Sequence, residues 1–173
     1  MESGRAISIR DLIKTSLRMR PDRIIVGEVR GSEAMDMVCS AMNCGHDGSM
    51  STIHANSAED TLLRLETMIL MAAQIPVTAI RQQISSGVDI IVFLGRLRDK
   101  SRRVLQIVEI DGMVNGEIRI NSLYRFEEAE EKSEGMVKGA LIKTGELRNV
   151  RKMEAAGLRI RDEKESGHPE DRL

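Results

Sequence analysis

The sequence is poor in aromatic residues and carries no excess of either charge. Only 2% of its 173 residues are Phe, Trp or Tyr, so it lacks the aromatic platforms on which many nucleic-acid-binding proteins stack bases. It has 26 Lys and Arg against 27 Asp and Glu, a balance that favours neither nucleic acid nor an anionic membrane as a partner. We therefore expect no direct contact with nucleic acid.

Cysteine is also scarce, and the sequence has no long hydrophobic run. Cys39 and Cys44 are too few for the disulfide framework of a secreted protein, so we expect a reduced, cytosolic chain. A zinc site would need two further ligands, and the spacing of His46 and His54 fits no zinc pattern. The most apolar stretch, residues 68–80, is too short to span a bilayer.

The first 95 residues alternate between predicted helices and short apolar strands. Apolar side chains recur at helical spacing in four segments: residues 9–17, 32–43, 57–72 and 77–86. Three segments predict strands: residues 24–26, 49–53 and 89–94. Ser8 and Asp11 form a predicted capping box before the first helix. The alternation predicts an α/β fold with a parallel sheet flanked by helices.

The pattern changes after residue 95. Residues 103–110 and 117–120 predict antiparallel strands, and Asn115 and Gly116 between them are typical of a tight hairpin turn. The remaining residues divide into three predicted segments: an acidic linker at 127–137, a small basic helical appendage at 138–161 and a disordered tail at 162–173.

A carboxylate after the first predicted strand is the first candidate functional group. In the stretch DRIIVGEVRG, the apolar run at residues 24–26 is followed by Gly27 and Glu28. Ligands of parallel sheets bind at the carboxyl ends of the strands. A carboxylate there could hold Mg²⁺ or act on an attacking water, which is the pattern of a Walker B element. The alternative is a solvated glutamate at an ordinary strand end.

The stretch GHDGSMSTIHANSAED contains the second candidate. Thr52 and His54 alternate with apolar Ile53, so both side chains should lie on one side of the predicted strand. His54 could contact a γ-phosphate or the acid of the first stretch. The alternative is a structural histidine, and that interpretation suits His46, which lies in a glycine-flanked turn, better than His54.

Together the two stretches resemble the type II/type IV secretion-system ATPases, and most nearly the CpaF/TadA branch, which powers assembly of tight-adherence (Flp) pili. The resemblance is carried by MRPDRIIVGEVRGSEAMDM, similar to that family's Walker B region, and by GHDGSMSTIHANSAEDTLLRLETMI, similar to its His box. It continues through RQQISSGVDIIVFLGRLRDKSRRVLQIVEIDGM and KTGELRNVRKMEAAG, and covers residues 5 to 160.

The resemblance implies a role for five residues. Glu28 matches the Walker B glutamate, which is expected to activate water, and His54 matches the His-box histidine, which is expected to sense the γ-phosphate. Gly27, Arg30 and Thr52 flank these positions and are expected to lie at the nucleotide. No metal ligand is assigned among the residues of this chain.

The resemblance also implies a fold and an assembly. Residues 5–126 would be the C-terminal part of a RecA-like P-loop NTPase core. The complete protein would be an ATPase that uses ATP and Mg²⁺ and forms a homo-hexameric ring. It would be cytoplasmic and dock on an inner-membrane platform protein.

One element of such an ATPase is missing from the sequence. A P-loop needs G-x-x-x-x-G-K-[ST], but the nearest candidate, Lys143-Thr144, has Val137 and Ile142 where glycines would stand. In the family, the P-loop precedes the segment that matches Ser8, so we expect this chain to be a C-terminal portion that neither binds ATP tightly nor hydrolyses it. Two alternatives are a non-enzymatic subunit that caps or regulates a full-length ring and a DNA-conjugation motor, against which the charge balance argues.

Overall fold

The computed structural model describes residues 6–129 and 136–158. Its helices are α1 (Ile9–Arg18), α2 (α-helical at Glu33–Met35 and π-helical at Asp36–Met42), α3 (Ala58–Ala72), α4 (Val77–Gly87) and α5 (Arg151–Ala155). Its strands are β1 (Ile25–Val26), β2 (Met50–Ser51), β3 (Ile90–Arg96), β4 (Arg102–Val114), β5 (Glu117–Glu128) and β6 (Gly139–Lys143). In this part of the chain, no helix is both long and apolar enough to cross a bilayer.

Helix α1 begins at the predicted capping box. The Asp11 N–H donates to Ser8 Oγ at 3.2 Å, and the Asp11 carboxylate accepts from the Ser8 N–H at 3.0 Å. Arg10 of α1 forms an ion pair with Asp36, which is buried at the start of the π-helical part of α2. Because a buried carboxylate needs a partner, this pair fixes α1 against α2.

Strands β1 and β2 form a two-stranded parallel sheet, as the sequence predicts. Ile25 pairs with Met50 and Val26 pairs with Ser51. Each strand is only two residues long. Ile25 is 70% exposed, so the side of β1 that carries it is not covered by the described residues.

The prediction of an α/β fold is confirmed, but the parallel sheet does not extend to β3. Strand β3 pairs antiparallel with β4, with Ile90 opposite Glu109. The reason is the short connection between them, in which the Leu97 N–H donates to the Ser101 carbonyl at 2.9 Å. A turn that tight returns the chain alongside the strand it has just left, so antiparallel pairing follows.

The predicted hairpin is present and belongs to a four-stranded antiparallel sheet ordered β3-β4-β5-β6. Asn115 and Gly116 both have positive φ, 52° and 82°, as the tight turn between β4 and β5 requires. Strand β6 corrects the prediction for residues 138–161, because Gly139–Lys143 extends the sheet alongside β5 where only a helix was expected. Within this predicted segment, the helical part is α5.

Only part of the predicted linker, and none of the predicted tail, lies among the described residues. Residues 127 and 128 end β5, so the first residues of the predicted linker belong to the sheet. Residues 130–135 and 159–173, which include the predicted disordered tail, lie outside the described residues. The division of the chain into four segments stays a prediction.

The hydrophobic core lies between helices α2, α3 and α4 and one face of the antiparallel sheet. Its buried members are Ile24, Val29, Ala34, Met37, Val38, Ala41, Leu62, Met68, Ile69, Ile80, Ile84 and Ile110. Ile110 of β4 is 2% exposed and brings the antiparallel sheet into the same core as the helices that follow β1 and β2. The core therefore positions the ends of the two parallel strands relative to the larger sheet.

Candidate functional site

The chain segments that follow β1 and β2 are tied to each other by two hydrogen bonds. The Val29 N–H donates to the Thr52 carbonyl at 2.9 Å, and Thr52 Oγ1 donates to the Gly27 carbonyl at 2.6 Å. These bonds continue the parallel pairing beyond the two strands. They place the candidate residues Gly27, Glu28, Thr52 and His54 at the same edge, at the carboxyl ends of β1 and β2.

Glu28 lies between two basic side chains. Its Oε1 is 2.6 Å from His54 Nε2, and its Oε2 is 2.6 Å from Arg30 Nη2. The Glu28 side chain is 25% exposed, whereas those of His54 and Arg30 are 80% and 74% exposed. The structure thus brings all five sequence-predicted site residues together, with the acid at the bottom and the bases toward solvent.

The electrostatics of this cluster keep Glu28 ionised. The hydrogen bond from Arg30 holds the pKa of the Glu28 carboxyl below its usual value, burial opposes this shift, and the charge of Arg30 and the nearby His54 reinforce it. The same contact raises the pKa of Arg30. Oε1 of Glu28 is buried and, although close to His54, receives no well-aligned hydrogen bond from a described residue. Because that oxygen is enclosed, a water could reach it only when the exposed His54 side chain moves away.

Sequence reasoning missed Glu33, which supports the turn that carries Arg30. The Glu33 carboxylate accepts from the backbone N–H groups of Arg30 at 2.7 Å and Gly31 at 3.0 Å. Burial raises the pKa of Glu33, but these backbone donors outweigh it and the pKa is lowered overall. The available signal was an acid in the first turn of a helix, where such a side chain can accept from free N–H groups.

The glycine-flanked turn before β2 sets the position of that strand. The His46 carbonyl accepts from Ser49 Oγ at 2.7 Å, and Ser49 Oγ accepts from the Ile24 N–H at 2.9 Å. Gly48 has a φ of 82°, and a Cβ there would lie 2.9 Å from the Arg23 side chain. His46 is part of this turn rather than of the Glu28 cluster, in agreement with its structural interpretation.

Clefts lie on both sides of the parallel pair. One of about 700 Å³ separates β2 from β3, and most of its lining is apolar, including Val38, Leu65 and Phe93. A second, of about 750 Å³, lies between α1 and β1 and reaches Glu28 and Arg30. The carboxyl ends of β1 and β2 are thus open on either flank.

No three His, Cys, Asp or Glu side chains within residues 6–129 and 136–158 are grouped as a metal site would require. Cys39 and Cys44 are both free thiols, and Cys44 Sγ donates to the Cys39 carbonyl at 3.5 Å.

Comparison with known proteins identifies the family. The model of a family described as Type II/IV secretion system protein matches residues 1–151. The chain belongs to this family. It is 37% identical over 132 residues to the probable conjugal transfer protein TrbB of Sinorhizobium fredii, covering 76% of this chain and 39% of that protein. It is 37% identical over 113 residues to the type IV secretion system protein PtlH of Bordetella pertussis, covering 62% of this chain and 33% of that protein.

The fold agrees with a solved member. The crystal structure of the VirB11 ATPase from the Brucella suis type IV secretion system, in complex with sulphate, aligns with a TM-score of 0.56 at 32% identity. The alignment covers 60% of this chain and 32% of VirB11. This chain thus spans no more than 39% of the length of any of these three proteins. The predicted membership of the secretion ATPase family is confirmed.

Proposed function

We propose that this chain is the C-terminal portion of a secretion ATPase, and that Glu28 and His54 form the water-activating side of its ATP site. The observation that carries this proposal is the Glu28 carboxylate, which lies between His54 and Arg30 at the carboxyl ends of two parallel strands. An ionised carboxylate whose exposed histidine partner can give way to water suits a group that orients water.

The phosphate-binding side of the site is not supplied by these residues. The sequence has no P-loop, and phosphate binding needs the backbone N–H groups of such a loop together with its lysine. The residues present therefore fit one wall of a nucleotide site and do not fit ATP with Mg²⁺ on their own. We propose that this chain alone neither binds ATP tightly nor hydrolyses it.

The cleft between β2 and β3 supports the view that another part of the protein completes the site. The Met50 N–H bonds to the Ile24 carbonyl of the β1 side, so the backbone groups of Ser51 face the cleft. The Ile110 N–H bonds to the Asp89 carbonyl, so by the same alternation those of Ile90 face the cleft from β3. Two unpaired strand edges lining an apolar cleft are suited to an inserted strand.

Calorimetry with Mg-ATPγS tests the proposal. This chain is compared with a chimera in which it follows the P-loop-bearing portion of a family member. We expect binding by the chimera only, and loss of ATP turnover in its Glu28→Gln variant with binding retained. Micromolar binding by the short chain alone would contradict the proposal. So would full turnover by the Glu28→Gln chimera.

Several finer features belong to the same proposal. The complete protein would be a homo-hexameric ring of the CpaF/TadA type that drives pilus assembly or protein export. It would work in the cytoplasm against an inner-membrane platform protein and would need no direct contact with nucleic acid. A ring of subunits with ATP sites can convert hydrolysis into rigid-body movement of domains.

The second candidate is a conjugation motor, which is favoured by one specific observation. A relative that shares 37% identity with this chain, TrbB, is described as a probable conjugal transfer protein. A third role, a non-enzymatic subunit that caps or regulates a full-length ring, would be favoured if this chain joined such a ring and the Glu28→Gln variant left its ATPase rate unchanged.

A further inference from the structure

Glu109 of β4 is a buried acid whose partners lie in the C-terminal segment. The residue is 1% exposed. Its carboxylate accepts from the Arg148 N–H at 3.0 and 3.1 Å, from the Asn149 N–H at 2.6 Å and from Asn121 Nδ2 at 2.9 Å. No salt bridge among the described residues includes it. The backbone N–H groups of residues 148 and 149 satisfy most of this carboxyl's acceptor capacity, and they can do so only while the segment lies against the sheet.

Further contacts hold the same segment on the sheet. Asn121 Nδ2 also donates to the Glu146 carbonyl at 2.8 Å, and Arg148 Nη1 is 2.7 Å from Asp111 Oδ2. At Gly145 the chain approaches so closely that a Cβ would lie 2.5 Å from the Ser122 carbonyl oxygen. Neighbouring residues of a strand face opposite sides, so Glu109 and this segment lie on the face opposite to core residue 110.

The segment ends at the cleft between β2 and β3. Lys152 of α5 lines this cleft, and its Nζ is 2.8 Å from Asp89 Oδ2 and 3.2 Å from Asp47 Oδ1. Asp89 directly precedes β3, and Asp47 lies in the turn before β2. One ammonium group therefore joins the starts of two strands that belong to different sheets and share no backbone pairing.

The Glu109 contacts and the Lys152 ion pairs are both needed to fix the width of the cleft. An exposed ion pair alone contributes little, because ordering two long side chains costs entropy. Here the backbone that carries Lys152 is already fixed three residues earlier by Glu109, so less freedom remains to be lost. The two acidic partners also raise the pKa of Lys152, outweighing the opposing effect of burial, so the ammonium stays charged.

We propose that residues 144–152 form a brace that Glu109 anchors on the antiparallel sheet and that, through Lys152, holds the starts of β2 and β3 at a fixed separation across the cleft. The brace is a property of this chain and does not depend on ATP chemistry. It keeps the two unpaired strand edges from closing on each other or drifting apart.

Spin-label distance measurements test the brace. In a background with Cys39→Ala and Cys44→Ser, labels are placed at Met50→Cys in β2 and Leu94→Cys in β3, both of which are exposed. We expect a narrow distance distribution in this background and loss of that narrow peak in Lys152→Met.

The matched control is Arg151→Met, which removes a neighbouring positive charge of the same helix that forms no ion pair with residues 6–129 or 136–158. It should leave the distribution narrow. If Lys152→Met leaves the distribution unchanged, or if both variants broaden it equally, the brace does not exist as proposed. Melting curves followed by circular dichroism confirm that each variant is folded.

High salt and a substitution of the anchor residue Glu109 give two further tests of the brace, both read from the distance distribution. In about 1 M salt the Debye length falls to about 3 Å, so the labelled background should broaden while Lys152→Met shows no further response. Glu109→Gln replaces one acceptor oxygen with an NH₂ group, so a donor now faces the donors that the carboxylate held. It should therefore broaden the distance distribution, as Lys152→Met does. The double variant should add nothing. Additive broadening would show that the anchor and Lys152 act separately and would overturn the proposal.

Discussion

The two sheets of this chain differ in where their strands find partners. The antiparallel sheet takes its four strands from consecutive segments of the chain, each strand pairing with the next. One of these strands, β4, is thirteen residues long. The parallel pair has two residues in each strand and an open cleft on each side. Antiparallel neighbours can be joined by short turns, whereas parallel neighbours need a crossover, so the local connections of this chain favour the antiparallel sheet.

The candidate site lies at the shorter, parallel pair of strands and not at the antiparallel sheet. Glu28 and His54 follow the two short parallel strands, whereas the antiparallel sheet contributes none of the predicted site residues. Carboxyl ends of parallel strands are where ligands bind in such folds. The antiparallel sheet supplies the rigid body against which those ends are held.

A matched pair of isoleucine truncations tests the comparison most strongly. Ile110 in β4 is 2% exposed and belongs to the core, whereas Ile25 in β1 is 70% exposed. Ile110→Ala should lower the free energy of unfolding by about 2–5 kcal/mol, because it removes buried methyl groups and leaves a cavity. Ile25→Ala should change it by less than about 0.5 kcal/mol. Urea unfolding of both variants measures this, and equal losses would show that β1 is covered in solution.

A second test addresses the link between the two regions. Arg81 of α4 contacts buried Glu66 of α3 at 2.7 Å and also donates to the Gly116 carbonyl of the β4–β5 turn at 3.1 Å. Arg81→Met should lower the free energy of unfolding more than Glu117→Gln does, because buried Glu66 loses its charged partner. Glu117→Gln, which removes only an exposed partner of the same arginine, should cost less than about 1 kcal/mol. If Arg81→Met and Glu117→Gln lower the free energy of unfolding equally, the Glu66 contact is not what joins the two regions.

Local sequence signals predicted the elements whose cause is local. The capping box of α1 and the Asn115-Gly116 turn depend on residues within three positions of each other, and both are present. The pairing direction of β3 was missed because it depends on the turn that follows the strand. The partners of Glu109 were missed because they lie about 40 residues away, and no sequence period links an acid to backbone N–H groups at that distance.

The candidate site divides in the same way. Glu28 and His54 were found because each follows an apolar strand, and strand ends of a parallel sheet meet at one edge. Which side chain would hold Glu28 was not predictable from spacing, because Arg30 lies on a turn whose backbone N–H groups are held by Glu33.

The pH dependence of stability gives a third test, centred on the antiparallel sheet. Hydrogen bonds from the Ser101 hydroxyl and from the backbone N–H groups of Val137 and Ser101 lower the pKa of Asp99 from 3.8 to about 2. A lowered native pKa means that the stabilisation is complete above the unfolded value and is lost as pH falls toward the native one. The melting temperature should therefore drop between about pH 4 and pH 2, and drop less in Asp99→Asn. Parallel melting curves for the two proteins would contradict this assignment.

The smallest expected effect on stability accompanies a pKa change at Glu28, because the partners of this carboxyl are mostly exposed. Arg30→Ala should raise the pKa of the Glu28 carboxyl, because the hydrogen bond from Arg30 is the largest cause of its lowering, and His54→Ala should raise it less. Carboxyl-detected NMR titration measures both, with Arg119→Ala, a basic residue of β5 that contacts Asp111, as the control. An unchanged Glu28 pKa in Arg30→Ala would show that the contact does not form in solution.

The titration of Glu28 distinguishes two ways in which this chain surrounds a carboxyl group with donors. Glu109 is buried and receives its hydrogen bonds from two backbone N–H groups and the Asn121 amide, all held against the antiparallel sheet, so its environment is built into the fold. Glu28 is held by exposed side chains at an open edge, and one of its oxygens still lacks an aligned donor. A carboxylate kept ionised by removable partners can exchange them for water or a ligand, whereas Glu109 cannot do so without releasing the C-terminal segment. A Glu28 pKa that responds to Arg30 and His54 would therefore support Glu28, rather than the buried acid, as the residue available for chemistry.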